Sequence, residues 1–401
     1  MIDIELQEHG AAVTRPLPAA AARALAGSGV IDTAPDPHRP DHWRLRAGGK
    51  AGAVSLRAAD GERLTLRIAP KVPIARLFFL LGYAVNPQVH REGFVGLAEQ
   101  PDVLPAMAQV YERALAGALR QGVLQGYRYT EEASPVLRGR LREADQIRRH
   151  HGRTFPVEVA YDAYTTDIPE NRLLRAATER LLRLPRVPGG VRRRLGHHRV
   201  LLGDAGPLSP GPGAGPGWRP SRLNLRYQPA LRLAEAVLRG SSVDHLPGGV
   251  AVDGFLLDTH KIFEDFVCVA LREALLPHGG RSVLQAGGVH LDEDATIRMR
   301  PDLVWYEDGG RPRAVVDAKY KAEKPEGFPD ADLYQMLAYC TALGLGEGHL
   351  VYAKGSGPPV SHRVRRAGIV LHQHALDLDG SPGELLASIR VLAERLAGPP
   401  R

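Results

Sequence analysis

A chain of 401 residues exceeds what one hydrophobic core ordinarily organises, so two or three domains are expected. With 44% hydrophobic and 24% charged residues it has the make-up of a soluble globular protein, and no apolar run reaches the roughly 18 residues that cross a bilayer, which excludes a membrane-spanning class. The excess of 52 Lys and Arg over 45 Asp and Glu, a formal charge of +7, favours an acidic partner such as nucleic acid.

No secretory segment opens the chain, and Cys268 and Cys340 form no CxxC pair. A disulfide framework or zinc site is therefore not expected, and a reducing cytoplasm is the expected home.

Residues 1 to about 70 read as strands. Ile2, Ile4 and Leu6 alternate, and Val54-Ser55-Leu56 and Leu64 to Ile68 flank an Asp60-Gly61 turn, with a short alanine-rich helix at Leu17 to Leu25 between them. Pro70 breaks the last strand, and the apolar run Ile74 to Val85 reads as a core helix.

Leu104 to Gln121 carries Met107, Val110, Tyr111, Ala114, Leu115 and Ala118 on one helical stripe. Residues 127 to 163 look basic and irregular. Arg138, Arg140, Arg142, Arg148, Arg149 and Arg153 crowd there beside Tyr127, Tyr129 and Phe155, which suits a phosphate backbone or an acidic protein face, and equally a solvated basic surface. Asp167 is placed to cap a helix running to Leu184, with Pro169 in its first turn. Gly203 to Pro220 is a Gly/Pro-rich loop, and Tyr227 to Arg239 resumes helix. The His197-His198 and His372-Gln373-His374 groups have no carboxylate at ligand spacing, so exposed histidines are expected.

His260 to Leu275 is predicted helical, with Ile262, Phe263, Phe266 and Val267 on its apolar face and Glu264 beside it. Leu303 to Tyr306 and Ala314 to Asp317, joined by Glu307-Asp308-Gly309-Gly310, predict a hairpin. Asp302 opens its first strand. Asp317 and Lys319, two apart on the second, point to one face. Two carboxylates beside an ammonium suit metal-assisted phosphodiester hydrolysis: the carboxylates hold Mg²⁺, and the lysine orients water or stabilises developing charge. The form Pro-Asp, spacer, Asp-x-Lys is the PD-(D/E)xK nuclease signature, although a surface hairpin with a salt bridge fits the same letters. Only seven lysines occur (Lys50, Lys71, Lys261, Lys319, Lys321, Lys324 and Lys354), so the run from Lys319 to Lys324 suggests that a compact point charge is wanted there.

Asp330 to Leu343 predicts a helix whose Gln335 and Tyr339 share a face, and this Gln-x-x-x-Tyr resembles the third motif of RecB-like nucleases. Gly348 to Lys354 reads as a buried strand and Glu384 to Leu396 as a closing helix. There is no GxxxxGK[ST] phosphate loop, so NTP hydrolysis by this chain alone is not expected.

In chain order, Pro70 to Ile74, Arg138 to Leu141, Asp167 to Leu174, Phe263 to Val267, Pro301-Asp302, Asp317 to Lys321 and Asp332 to Tyr339 together resemble the McrC family, the nuclease subunit of the McrBC modified-cytosine restriction system. The resemblance spans most of the chain and is weakest over residues 1 to about 50 and the Gly/Pro stretch. It implies a multidomain α/β and α+β protein. Residues 1–95 would form an α+β partner-binding module, 96–245 a mainly helical middle containing loop 203–220, and 246–401 a PD-(D/E)xK endonuclease domain with a mixed central sheet flanked by helices.

The resemblance further implies that Asp302, Asp317 and Glu264 ligate Mg²⁺, with Mn²⁺ as an alternative ion. Lys319 would be the catalytic lysine, and Gln335 and Tyr339 supporting site residues. The implied partners are double-stranded DNA and a hexameric AAA+ NTPase of McrB type, which the chain would stimulate in a defence complex. Since one such site cuts one strand, self-association of nuclease domains is expected for a double-strand break. The competing readings are a stand-alone RecB-like nuclease and a non-catalytic adaptor that activates an AAA+ NTPase.

Overall fold

Alternating apolar residues at the start of the chain build strands, as their spacing requires. The computed structural model describes residues 2–85, 87, 103–151, 153–184, 186–208, 217–240, 252–322, 330–354 and 360–398. Residues 209–216 of the Gly/Pro stretch, most of the turn-rich passage after residue 240, and Lys324 lie outside them. The chain divides into two compact units, Met1–Ala106 with Gly240–Arg401, and Met107–Arg239.

The N-terminal part contains β1 (Ile2–Gln7), β2 (Val13–Pro16), α1 (Ala19–Ser28), β3 (Ile31–Pro35), β4 (His42–Ala47), β5 (Lys50–Arg57) and β6 (Arg63–Ala69). β5 and β6 form the expected hairpin around Gly61, whose φ of 85° suits a glycine. β1 pairs with β6 in parallel, and β2, β4 and β3 make a separate antiparallel sheet. Ile4, Leu25, Leu45, Leu56, Leu64 and Leu66 fill the core between them. The helices α2 (Ile74–Val85) and α3 (Val103–Leu119) follow.

In the second unit come β7 (Gly126–Ser134), β8 (Arg140–Leu141), α4 (Glu143–His150), β9 (Val157–Thr165), α5 (Pro169–Arg183), α6 (Gly189–Leu201) and α7 (Gln228–Gly240). The stretch expected to be irregular is thus a sheet of order β7-β9-β8. It escapes the pattern because Tyr127, Tyr129 and Tyr164 stay exposed, so no apolar alternation marks these strands. Its basic character is also reduced, since Arg142, Arg148 and Arg149 pair with Asp145 and Glu158. Asp167 does not cap α5; Ile168 holds the cap position without a side-chain bond, and Asp167 instead pairs with Arg172 at 2.6 Å. Arg172 and the Gly206 amide hold its carboxyl far below the usual range. The buried Tyr111 hydroxyl donates to the Leu174 carbonyl over 2.7 Å, fixing α3 to α5.

The C-terminal part runs β10 (Val252–Asp258), α8 (Thr259–Leu275), β11 (Arg281–Leu284), β12 (Val289–His290), β13 (Arg298–Met299), β14 (Leu303–Tyr306), β15 (Pro312–Ala322), α9 (Asp330–Leu343), β16 (Glu347–Lys354), β17 (Val360–Arg363), β18 (Val370–Ala375) and α10 (Pro382–Ala397). β10 joins the N-terminal sheet antiparallel to β5, so one sheet of order β1-β6-β5-β10 draws strands from residues 1–95 and from 246–401.

A second, mixed sheet of order β11-β14-β15-β16-β18-β17 follows, with β15, β16 and β18 parallel. On one face α9 sets Met336, Tyr339 and Cys340 against Val315 and Leu350. On the other lies α8, where Phe263 meets Tyr320 with ring centroids 5.8 Å apart. The closing helix α10 carries a capping box, Ser381 with Glu384. Among the described residues no helix is long and apolar enough to cross a membrane.

Candidate active site

The β14–β15 hairpin forms because Leu303-Val304-Trp305 and Ala314-Val315-Val316 are buried on both faces, as a central strand pair requires. Where these apolar runs end, charge begins. Asp302 stands one residue before β14, and Asp317 and Lys319 share a face of β15. Lys319 Nζ lies 2.5 Å from Asp317 Oδ2. Between them the Ala318 N–H donates to Asp302 Oδ2 over 2.9 Å, which fastens the first carboxylate to the strand carrying the second. The Gln285 side-chain amide donates to Asp302 Oδ1 over 2.7 Å.

Glu264 comes from α8, whose apolar side packs inward and leaves this residue half-buried. Burial pushes its carboxyl up to about 7, helped by the charge of Asp302 and, less, of Asp317, while Lys261 and Lys319 oppose the rise. Its field therefore reaches the hairpin cluster. Asp317 is itself pushed up to about 6, first by burial and then by Asp302, with Lys319 opposing. Burial alone disfavours the Lys319 ammonium, yet Asp317 more than offsets this and raises the amine. Lys319 is thus a cation at neutral pH.

Gln335 and Tyr339 lie one turn apart on α9, and Gln335 Nε2 donates to the Tyr339 hydroxyl over 2.7 Å. Gln335 is exposed, whereas Tyr339 is buried and its hydroxyl sits 3.4 Å from the Arg300 carbonyl, just ahead of Asp302. Burial and then Asp317 push the Tyr339 phenol up to about 12, so it stays protonated.

Five of the six residues singled out from the sequence are thus tied to one hairpin end by hydrogen bonds or an ion pair, and Glu264 lies near enough for the charge of Asp302 to act on its carboxyl. Two neighbours were not singled out for the site. Gln285 lies in a turn after β11 with no periodic signal. Asp332, buried and accepting the Tyr352 hydroxyl at 3.3 Å, adds its charge to Asp317 and Lys319; its place one turn before Gln335 was the available clue.

The donor set fits a hard divalent cation, because carboxylate oxygens gathered against their mutual repulsion are relieved by positive charge. The oxygens of Asp302, Asp317 and Glu264 do not all lie within 4.8 Å of one another. Among the described residues, only Glu347, His349 and His372 bring three donor atoms within 4.8 Å of one another.

The family model described as McrBC 5-methylcytosine restriction system component matches residues 45–353. No curated protein matches the chain. Among solved structures, the chain is similar to a chain of the refined half-complex from the tetradecameric assembly of Thermococcus gammatolerans McrB AAA+ hexamers with bound McrC, at 18% identity and a TM-score of 0.58, over 98% of this chain and 100% of that one. A weaker likeness, at 18% identity and a TM-score of 0.42, covers 68% of this chain and 88% of a chain in the Thermococcus gammatolerans McrBC complex.

Proposed function

The chain belongs to the family of McrBC 5-methylcytosine restriction system components, and from that premise we propose that it is the McrC-type DNA endonuclease subunit of a McrBC-like complex. In this reading it is a PD-(D/E)xK enzyme that uses Mg²⁺ and works with an AAA+ hexamer of McrB type, whose hydrolysis it stimulates. The observation that carries the proposal is the Ala318 amide on Asp302 Oδ2, set between Asp317 and Lys319, which assembles carboxylate, carboxylate and ammonium from two strands.

Asp302, Asp317 and Glu264 would hold the ion. When bound, it supplies Lewis-acid polarisation of the phosphate and lowers the pKa of a water. Asp302 keeps one orientation because both its oxygens accept hydrogen bonds. Lys319, kept cationic by Asp317, stabilises charge developing on the scissile phosphate and does not act as a base. Glu264, its carboxyl raised by burial and by Asp302, would release its proton on taking up the ion. Gln335, on the exposed edge of α9, offers its amide to a phosphate backbone, while Tyr339 holds that amide in place.

The test pairs purified protein with its AAA+ partner, nucleotide, Mg²⁺ and methylated DNA. Asp317→Ala is expected to abolish cleavage while sparing NTPase stimulation. Undiminished cleavage would remove the assignment. Vigorous cutting of plain DNA without the partner would instead favour a stand-alone nuclease.

A further inference from the structure

A second group of donors occupies the opposite face of the six-stranded sheet. Asp317 pairs with Leu350 and Lys319 with Tyr352, whereas His349 pairs with Val316, one residue out of step. Strand alternation therefore turns His349 away from the carboxylate–lysine cluster. On that side β16 and β18 run parallel with His349 beside His372 and Val351 beside His374, so Glu347, His349, His372 and His374 share a face.

Glu347, His349 and His372 each bring a ligand atom within 4.8 Å of the other two. His349 is fully buried, His372 partly so, and Glu347 is exposed, which leaves a route from solvent. The histidines expected to be exposed are thus largely interior, and the carboxylate missing from their own stretch comes from a neighbouring strand.

The proton inventory of the cluster does not close. His349 Nδ1 lies 3.1 Å from His374 Nε2, and His349 Nε2 is buried with no hydrogen-bond partner among the described residues. An orphaned buried polar atom calls for an explanation. His372 Nδ1 lies 2.8 Å from Ser361 Oγ, and its Nε2 lies 3.3 Å from Glu347 Oε2. With the Nδ1–H groups donated to Ser361 and His374, the two Nε2 atoms carry lone pairs, and one of them faces a carboxylate oxygen. A cation satisfies both. Hydrogen bonds on the far nitrogen are also what orient metal-bound imidazoles.

We propose that Glu347, His349 and His372 form a site for a transition-metal dication of the Zn²⁺ type, oriented by Ser361 and His374. Two imidazole nitrogens and one carboxylate oxygen suit zinc and not Mg²⁺. The 3.3 Å between Glu347 Oε2 and His372 Nε2 matches the edge, about 3.3 Å, of a tetrahedron with bonds of about 2.0–2.1 Å. An ion there joins β16 to β18 and, through Ser361, to β17, bracing the sheet that carries Asp317. No cysteine takes part, which is why the cysteine spacing gave no sign of it.

The test loads the untagged full chain with Zn²⁺, removes excess by gel filtration and measures bound metal by mass spectrometry, with Co²⁺ loading read by visible absorption. About one equivalent is expected in wild type, a tetrahedral Co²⁺ spectrum, and at least a tenfold loss of retained metal in His372→Ala and in Glu347→Gln. Glu347 is exposed, so its variant is expected to keep the wild-type circular dichroism. Excess Mg²⁺ should not displace the zinc. Retention by either variant equal to wild type, or no retention by wild type, overturns the site, and neither result bears on DNA cleavage.

Discussion

Gln285 holds Asp302 at two points: its side-chain amide donates to Oδ1 over 2.7 Å, and its backbone N–H donates to the Asp302 carbonyl over 2.8 Å. The turn after β11 therefore sets both the position and the rotamer of the first carboxylate. Gln285→Leu leaves the backbone bond and removes the side-chain one. Losing such an outer partner typically costs about 10–100-fold in metal affinity or activity. Cleavage rates titrated against Mg²⁺ should show a weaker apparent affinity, with NTPase stimulation intact. A wild-type Mg²⁺ dependence would mean that the clamp is only structural.

The raised carboxyls give stability a defined pH dependence. Asp317 moves from 3.8 to about 6 and Glu264 from 4.5 to about 7, burial being the first cause and Asp302 the second in each. Over that window the folded state binds more protons than the unfolded one, so these groups lower stability as pH rises from about 4 to about 7. His349 and His374 are shifted down by burial and push the other way, so the comparison must isolate the carboxyl. In metal-free protein, the denaturation midpoint of wild type minus that of Asp317→Asn should fall between about pH 4 and about pH 6 and level off above that, and Mg²⁺ should flatten the fall by binding the ionised form. A difference that grows with pH would contradict the shift. Glu264, half-exposed, contributes less because solvent screens it.

What the sequence disclosed follows the strength of local patterning. The hairpin around Asp302 and Asp317 and the helices α8 and α9 are legible because apolar runs and helical spacing end in charged residues. The sheet of Tyr127, Tyr129 and Tyr164 is not, because its aromatic side chains stay in solvent and alternation carries no message there. Gln285 and Asp302 meet through backbone geometry, which residue spacing does not encode. Glu347 and His349 join His372 only because two parallel strands fall in register, a pairing fixed by the fold.

The α9 pair separates a positioning role from a packing role. Tyr339→Phe removes the hydroxyl that accepts from Gln335 and lies by the Arg300 carbonyl, leaving the ring in its core. Its stability loss should stay near 1 kcal/mol, the usual worth of a neutral hydrogen bond. Gln335→Ala, at an exposed position, should cost still less. Both are expected to slow cleavage by roughly tenfold, the range of lost transition-state contacts of this strength. Chemical denaturation beside single-turnover cleavage checks the split; cleavage unchanged in both variants would leave the pair a helix-edge contact.

Gly348 decides how closely α9 approaches the sheet. A Cβ at this position would lie 2.5 Å from Cys340 Sγ and 2.6 Å from Met336 Sδ, both in the buried interior between β16 and α9. Both side chains are buried, and in a close-packed interior a shift of either one displaces its neighbours in turn. Gly348→Ala should therefore push α9 outward and destabilise the unit by about 1–3 kcal/mol, the usual cost of overpacking. The same displacement moves Asp332, Gln335 and Tyr339, so cleavage should fall more than the loss of folded protein explains. Shortening the neighbour in Gly348→Ala/Met336→Ala should be less destabilising than the two single costs added together, because one substitution opens room for the other. Additive costs in denaturant titrations would show that the contact between strand and helix does not set the position of α9.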